Sequence, residues 1–256
     1  MTHDVPILEF DPERGALIDP QKLIQPLPAA PETCVLCFFR DVLQDLHGRG
    51  QARILVELRS EQGANPLYEV QTPDGRAFMA VHPGVGAPLA AGHLEELIAL
   101  GGRRFVACGG AGVLHGHLPV GHILIPDSAV RDEGTSYHYL PPAREVQLDP
   151  ASVATLQQVL EQQGVPHTVG KTWTTDAFYR ETPQRIARRR AEGCLMVEME
   201  CAAFAAVAEF RRVAFAQLLY GGDDVSAEVW NSRGWTEKGS IRQQLFWLAA
   251  AGALAL

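Results

Sequence analysis

The run LMVEMEC, Leu195 to Cys201, is followed at once by the apolar stretch AAFAAVAEF, Ala202 to Phe210, and together they read as a strand delivering the chain into a buried helix. Side chains alternate along a strand, so Glu198 and Glu200 are expected on one face and Met199 on the other. Two carboxylates on one face are costly to bury without partners. The hydroxyls of a polyol such as a sugar offset that cost, because carboxylates accept hydrogen bonds from them and can hold a developing sugar cation. The alternative is structural, with acids placed at the positive end of a helix macrodipole. This stretch alone leaves both readings open.

Outward from that junction, short β-rich runs alternate with longer helical ones. RILVELRS (Arg53–Ser60), LYEVQT (Leu67–Thr72) and AFMAVHPG (Ala77–Gly84) read as consecutive strands bounded by GANP and PDG turns. A helix is expected from Pro88 to Leu100, stopped by Gly101 and Gly102. RRFVACGG, HILIPDSAV, HTVGKTWTT, LMVEME and VAFAQLLYGG complete the strands. The helices between and after them are SVATLQQVLEQQG with a serine cap, Pro183 to Glu192, Cys201 to Arg211, and about Thr236 to Leu256. Such alternation predicts a single α/β domain over residues 1–256, with three αβα layers around a twisted, largely parallel or mixed sheet. Ligands of such sheets lie at the carboxyl ends of the strands.

Two glycine-rich turns follow strands, HPGVGAP (His82–Pro88) and CGGAG (Cys108–Gly112). Gly84 and Gly86 can take positive φ and bring backbone N–H groups to an anion at a helix start, or can serve a tight turn for steric reasons alone.

GVGAP (Gly84–Pro88), AVRDEGTSYHYLPP (Ala129–Pro142), TWTTDAFYRETP (Thr172–Pro183), VEMEC (Val197–Cys201) and GGDD (Gly221–Asp224) occur in this order. From Leu67 to the C-terminus the chain resembles the nucleoside phosphorylase family, which includes uridine phosphorylase, purine nucleoside phosphorylase and the methylthioadenosine nucleosidases. The resemblance implies cleavage of the N-glycosidic bond of a nucleoside with phosphate as co-substrate, giving free base and ribose 1-phosphate without cofactor or metal. It places Glu200, backed by Glu198, on the ribose hydroxyls, Met199 against the sugar and Phe178 on the base. Asp223 becomes the acid that assists the leaving base, its proton retained by burial and by the neighbouring Asp224. Gly84, Gly86, Gly109 and Gly110 become the phosphate turns. DPER (Asp11–Arg14) resembles a phosphate-contacting N-terminal turn.

Two departures bear on chemistry. Relatives place an arginine and a serine or threonine where this chain has Ala107 and Gly110, which leaves Arg53, Arg59 or Arg131 to replace the cation. Uridine phosphorylases present a glutamine and an arginine to uracil where this chain has Thr182 and Gln184, so uracil selection is not supported. Water as the nucleophile, giving a nucleosidase, and a non-catalytic nucleoside-binding protein remain the alternatives. The family also implies a homo-oligomer, dimer or hexamer.

The chain has 256 residues and a net charge of −8, which argues against general nucleic-acid binding. The one basic cluster, Arg185 with Arg188, Arg189 and Arg190, reads as a solvated helix face. Cys34, Cys37, Cys108, Cys194 and Cys201 read as core, and the CxxC in CVLCFF as packing rather than a metal site. His115 and His117 read as solvated. The start lacks signal-peptide character, and apolar LFWLAAAGALAL is too short to span a bilayer, so a cytoplasmic protein is expected.

Overall fold

A computed structural model describes residues 4–235 and 239–256. After a short helix α1 (Pro20–Leu23), the chain enters β1 (Thr33–Cys37), α2 (Arg40–Gly48), β2 (Ala52–Ser60), β3 (Gly63–Gln71), β4 (Ala77–Val81) and α3 (Ala87–Ala99). Next come β5 (Arg104–Val113), β6 (Ile123–Asp132), β7 (Glu145–Gln147), α4 (Pro150–Gln162) and β8 (His167–Thr175). The chain finishes through α5 (Pro183–Ala191), β9 (Cys194–Glu198), α6 (Cys201–Arg211), β10 (Ala214–Asp224) and α7 (Gly239–Ala255). The expected start of α7 near Thr236 lies outside the described residues.

The sheet is mixed, in the order β10-β6-β8-β9-β5-β1-β4-β3-β2, with β7 on β6 and a further pairing of β10 with β5. That last pairing closes β5, β10, β6, β8 and β9 into a ring, from which β1 to β4 extend as an open arm. β5 belongs to both. β9 runs antiparallel to β5, with Gly112 opposite Val197, whereas β10 runs parallel to it, with Gln217 beside Ala107.

The apolar CVLCFF stretch is the centre of this arrangement. β1 is buried throughout and runs parallel to both β4 and β5. All five cysteines are buried and unpaired, and burial pushes the Cys34, Cys108 and Cys201 thiols well up. The two faces are told apart by aromatic neighbours. Phe38 packs toward Phe204 of α6, while the next residue, Phe39, packs toward Tyr220 and lies beneath Arg242 of α7. α3 packs on α6, and α4 packs on α7. α6 is buried from Cys201 to Ala208, as an unbroken apolar helix must be.

Several local expectations change. GANP lies inside β3, paired with β2. The cap of α4 is Asp149, whose carboxylate accepts the Ser152 amide and hydroxyl at 2.9 and 2.7 Å. The basic helix α5 is not simply solvated. Arg189 is buried and paired with Glu192, Arg185 bonds Asp132 at 2.6 Å, and both guanidinium groups lie over the Trp173 ring. Among the described residues no helix is long and apolar enough to cross a membrane.

Candidate active site

β9 stops at Glu198, and the chain bends through Met199 and Glu200 before α6 begins. Strict alternation therefore ends one residue early. Glu198, Met199 and Glu200 all line one cavity, and Met199 does not face away. The two acids differ in employment. Glu198 Oε1 accepts the Thr174 hydroxyl at 2.6 Å, and its Oε2 accepts the amides of Glu200 and Cys201 at 2.8 and 2.6 Å. It thereby caps α6, which is the structural alternative realised for this residue. Glu200 Oε1 accepts the Gly86 amide at 2.6 Å. Burial raises both carboxyls above the ordinary range, and the charge of Glu198 raises Glu200 further.

The first glycine turn holds protein acceptors at its amides. Gly84 and Gly86 have φ of 84° and 91°, and a Cβ at Gly84 would stand 2.4 Å from Leu89 Cδ2. The Gly86 amide binds Glu200, and the Gly84 amide binds His82 Nδ1 at 3.1 Å. Both amides expected at phosphate are thus engaged elsewhere, and only Val85 between them reaches the cavity wall.

The cavity has a volume of about 760 Å³, and the β5 segment Gly109 to Gly112 lines its floor. A Cβ at Gly109 would lie 3.0 Å from the Phe38 ring, and one at Gly112 3.5 Å from Asp223 Oδ1. The glycines let a flat ligand lie close to the strand, with Phe38 at one end and Asp223 at the other.

The Phe38 end lacks the expected cations. Asp11 to Arg14 precede β1 and lie away from this cavity; Arg14 stacks on Phe210 in a separate cleft. Arg53 is bound bidentately to Glu69, and Arg59 to Glu57. Arg131 is buried, donating to Ser136 Oγ and the carbonyls of Pro141 and Leu140. None of the three lines the cavity. Arg242 does, from the α7 face, stacked over Phe39 and Trp235.

At the other end Asp223 Oδ2 accepts Trp230 Nε1 at 2.7 Å. Asp224 is not its charged companion. Burial pushes the Asp224 carboxyl up, but hydrogen bonds from Ser226 and its ion pair with Arg233 hold it below the usual range. The companion is Glu181, pushed up to about 7 by burial first and by Asp223 second, with Arg185 opposing. Phe178 is 51 % exposed at the cavity mouth, its ring 4.1 Å from that of Tyr179, so it is not core. Thr182 caps α5, and Gln184 is exposed outside the cavity.

Sequence reasoning missed Glu181, Gln217, Trp230 and Trp235, all of which line the cavity. Glu181 lies inside TWTTDAFYRETP, and Gln217 is the one amide in the apolar run VAFAQLLYGG. The two tryptophans sit in a segment without periodicity. Among the described residues, no group of three or more His, Cys, Asp or Glu side chains is placed to hold a metal ion.

A fold with glycine-floored β5 between two acid-bearing strands defines a class, and comparison with known proteins gives its name. The phosphorylase superfamily model matches residues 32–244, and the chain belongs to that superfamily. It is 31 % identical over 143 residues to uridine phosphorylase of Salmonella typhimurium, covering 50 % of this chain and 56 % of that one. It is 30 % identical over 135 residues to guanosine phosphorylase of Halorubrum lacusprofundi, covering 53 % and 56 %. The chain thus spans about half the length of the curated relatives it matches. The fold is shared with uridine phosphorylase from Vibrio fischeri, at TM-score 0.72, 21 % identity and coverage of 91 % and 98 %. It is also shared with purine nucleoside phosphorylase from Toxoplasma gondii in complex with immucillin-H, at TM-score 0.72, 17 % identity and 92 % of each chain.

Proposed function

We propose that this protein cleaves the N-glycosidic bond of a nucleoside and passes the sugar to phosphate, releasing free base and ribose 1-phosphate. The observation that supports this most directly is that Glu200 and Asp223, carried by the segments that end β9 and β10, line one cavity on either side of β5. The base lies against Phe178 with its leaving nitrogen toward Asp223, and the sugar lies on Met199 with its hydroxyls at Glu200. As the C–N bond lengthens, positive charge grows on the sugar carbon and negative charge on the base. Glu200 stabilises the first, and a proton held at the Asp223 and Glu181 end neutralises the second. Glu198 acts by fixing the bend that carries Glu200. Base salvage in the cytoplasm by a homo-oligomer completes the reading, by analogy with the family alone.

Water as the nucleophile is the second reading, favoured by Ala107, Gly110 and Phe38 at the end where a phosphate dianion needs cations. The test is incubation with mixed nucleosides, with and without phosphate, followed by identification of the sugar product. Ribose 1-phosphate formed only with phosphate supports the first reading, and free ribose at a phosphate-independent rate replaces it with the second. Nucleoside-dependent thermal stabilisation with no product overturns both.

A further inference from the structure

Gln217 is 1 % exposed, lines the cavity, and has a buried Oε1 without a hydrogen-bond partner; its amide nitrogen donates to nothing among the described residues. A buried amide left in this state costs about 1–3 kcal/mol per unsatisfied group, and native proteins fill nearly all such groups with water or ligand. Its place in the sheet says what is missing. Gln217 pairs in parallel register with Ala107, so the two side chains rise side by side on the face that carries Phe38. Ala107 stops at a methyl, and Gly109, next on that face, has no side chain at all. The amide therefore projects into the cavity that Phe38, Met199 and Leu219 also line, six residues ahead of Asp223 along the same chain segment.

We propose that the Gln217 amide holds the attacking oxygen nucleophile, in place of the cation that Ala107 cannot supply. This rests on the sugar lying at Met199 and Glu200. A primary amide presents two N–H donors and one carbonyl acceptor, which fits an oxygen species carrying both lone pairs and a proton. Water and hydrogen phosphate share that chemistry. In either case a lone pair of the held oxygen forms the new bond to the sugar carbon, the C–N bond breaks, and its electron pair goes to the base. With water, one proton ends on the base and the hydroxyl stays on the sugar. With hydrogen phosphate, the P–OH proton balances the one gained by the base.

The test is Gln217→Met, which keeps the volume and removes the amide, assayed with and without phosphate alongside the wild type. Expected are an unfolding temperature equal to or above wild type, a nucleoside KM within twofold, and kcat at least tenfold lower in the arm where the wild type works. A loss in the phosphate-free arm identifies water as the species held. A loss confined to the phosphate arm, with a raised KM for phosphate, identifies hydrogen phosphate. If the variant does not fold, Gln217→Ala carries the same measurement. A kcat within twofold of wild type in both arms overturns the role of Gln217 and leaves the proposed activity standing. If the wild type releases no base from any nucleoside, the activity itself fails and this role falls with it.

Discussion

The amide of Gly86 donates a 2.6 Å hydrogen bond to Oε1 of Glu200. A glycine turn with the look of a phosphate cradle is thereby a brace for an acid more than a hundred residues away in sequence. Because φ at Gly86 is 91°, a side chain there would strain the turn and shift the amide, and with it the carboxylate.

Glu200→Gln keeps an oxygen for the Gly86 amide but cannot ionise to meet positive charge growing on the sugar. Hydrogen bonds to charged groups contribute about 1.5–3 kcal/mol, so kcat/KM should fall roughly 10- to 150-fold while unfolding free energy changes by less than about 1 kcal/mol. Steady-state base release and urea unfolding measure the two. Turnover close to wild type would remove Glu200 from the sugar.

Asp223→Asn tests the leaving-group end. General acid assistance is worth about 10²- to 10⁴-fold, so kcat should drop by that factor for ordinary nucleosides. The drop should be much smaller for a synthetic nucleoside whose base departs readily as an anion. Equal losses on both substrates would assign Asp223 to binding instead.

Thr174→Val concerns the scaffold. The buried hydroxyl donates to Glu198 and accepts the Ala202 amide at 2.9 Å, and valine abandons both groups. The expected loss is about 1–3 kcal/mol in urea unfolding. An unchanged midpoint would mean that the bend before α6 does not depend on this bridge.

The buried acids also set a pH dependence. Glu181 is pushed from its ordinary 4.5 up to about 7, and Glu198 and Glu200 are displaced in the same direction. Between those values the folded chain holds protons that the unfolded chain has lost, so the unfolded state binds fewer and stability must fall as pH rises. Thermal unfolding midpoints should therefore decline from about pH 5 to about pH 7.5, with a shallower slope in Glu181→Gln. A midpoint that climbs over this range would contradict the raised acids.

The mixed αβα architecture was legible because period-two and helical runs alternate plainly from Arg53 onward. The acid pair was visible in LMVEMEC, but the separate duties of Glu198 and Glu200 were not. They follow from a bend at Met199, and residue types do not encode where a strand stops. β1 was hidden for a different reason. A fully buried central strand such as TCVLC shows no alternation, so it could not be told from generic core. Asp224 misled because sequence adjacency says nothing about direction, and its ion pair with Arg233 forms only in the folded hairpin-like return through Asn231. Glu181 acquires meaning only through Asp223 beside it in space, and Gln217 only through what fails to contact it.

The closed circuit of β5, β10, β6, β8 and β9 has a mechanical corollary. Sliding any one member by a residue would invert its side chains and break the join with both neighbours at once. The separation between Glu200 and Asp223 is thus dimensioned by the frame itself. Under the proposed activity, loop segments such as those bearing Phe178 and Trp230 can be exchanged to retune which base is admitted while that spacing stays constant.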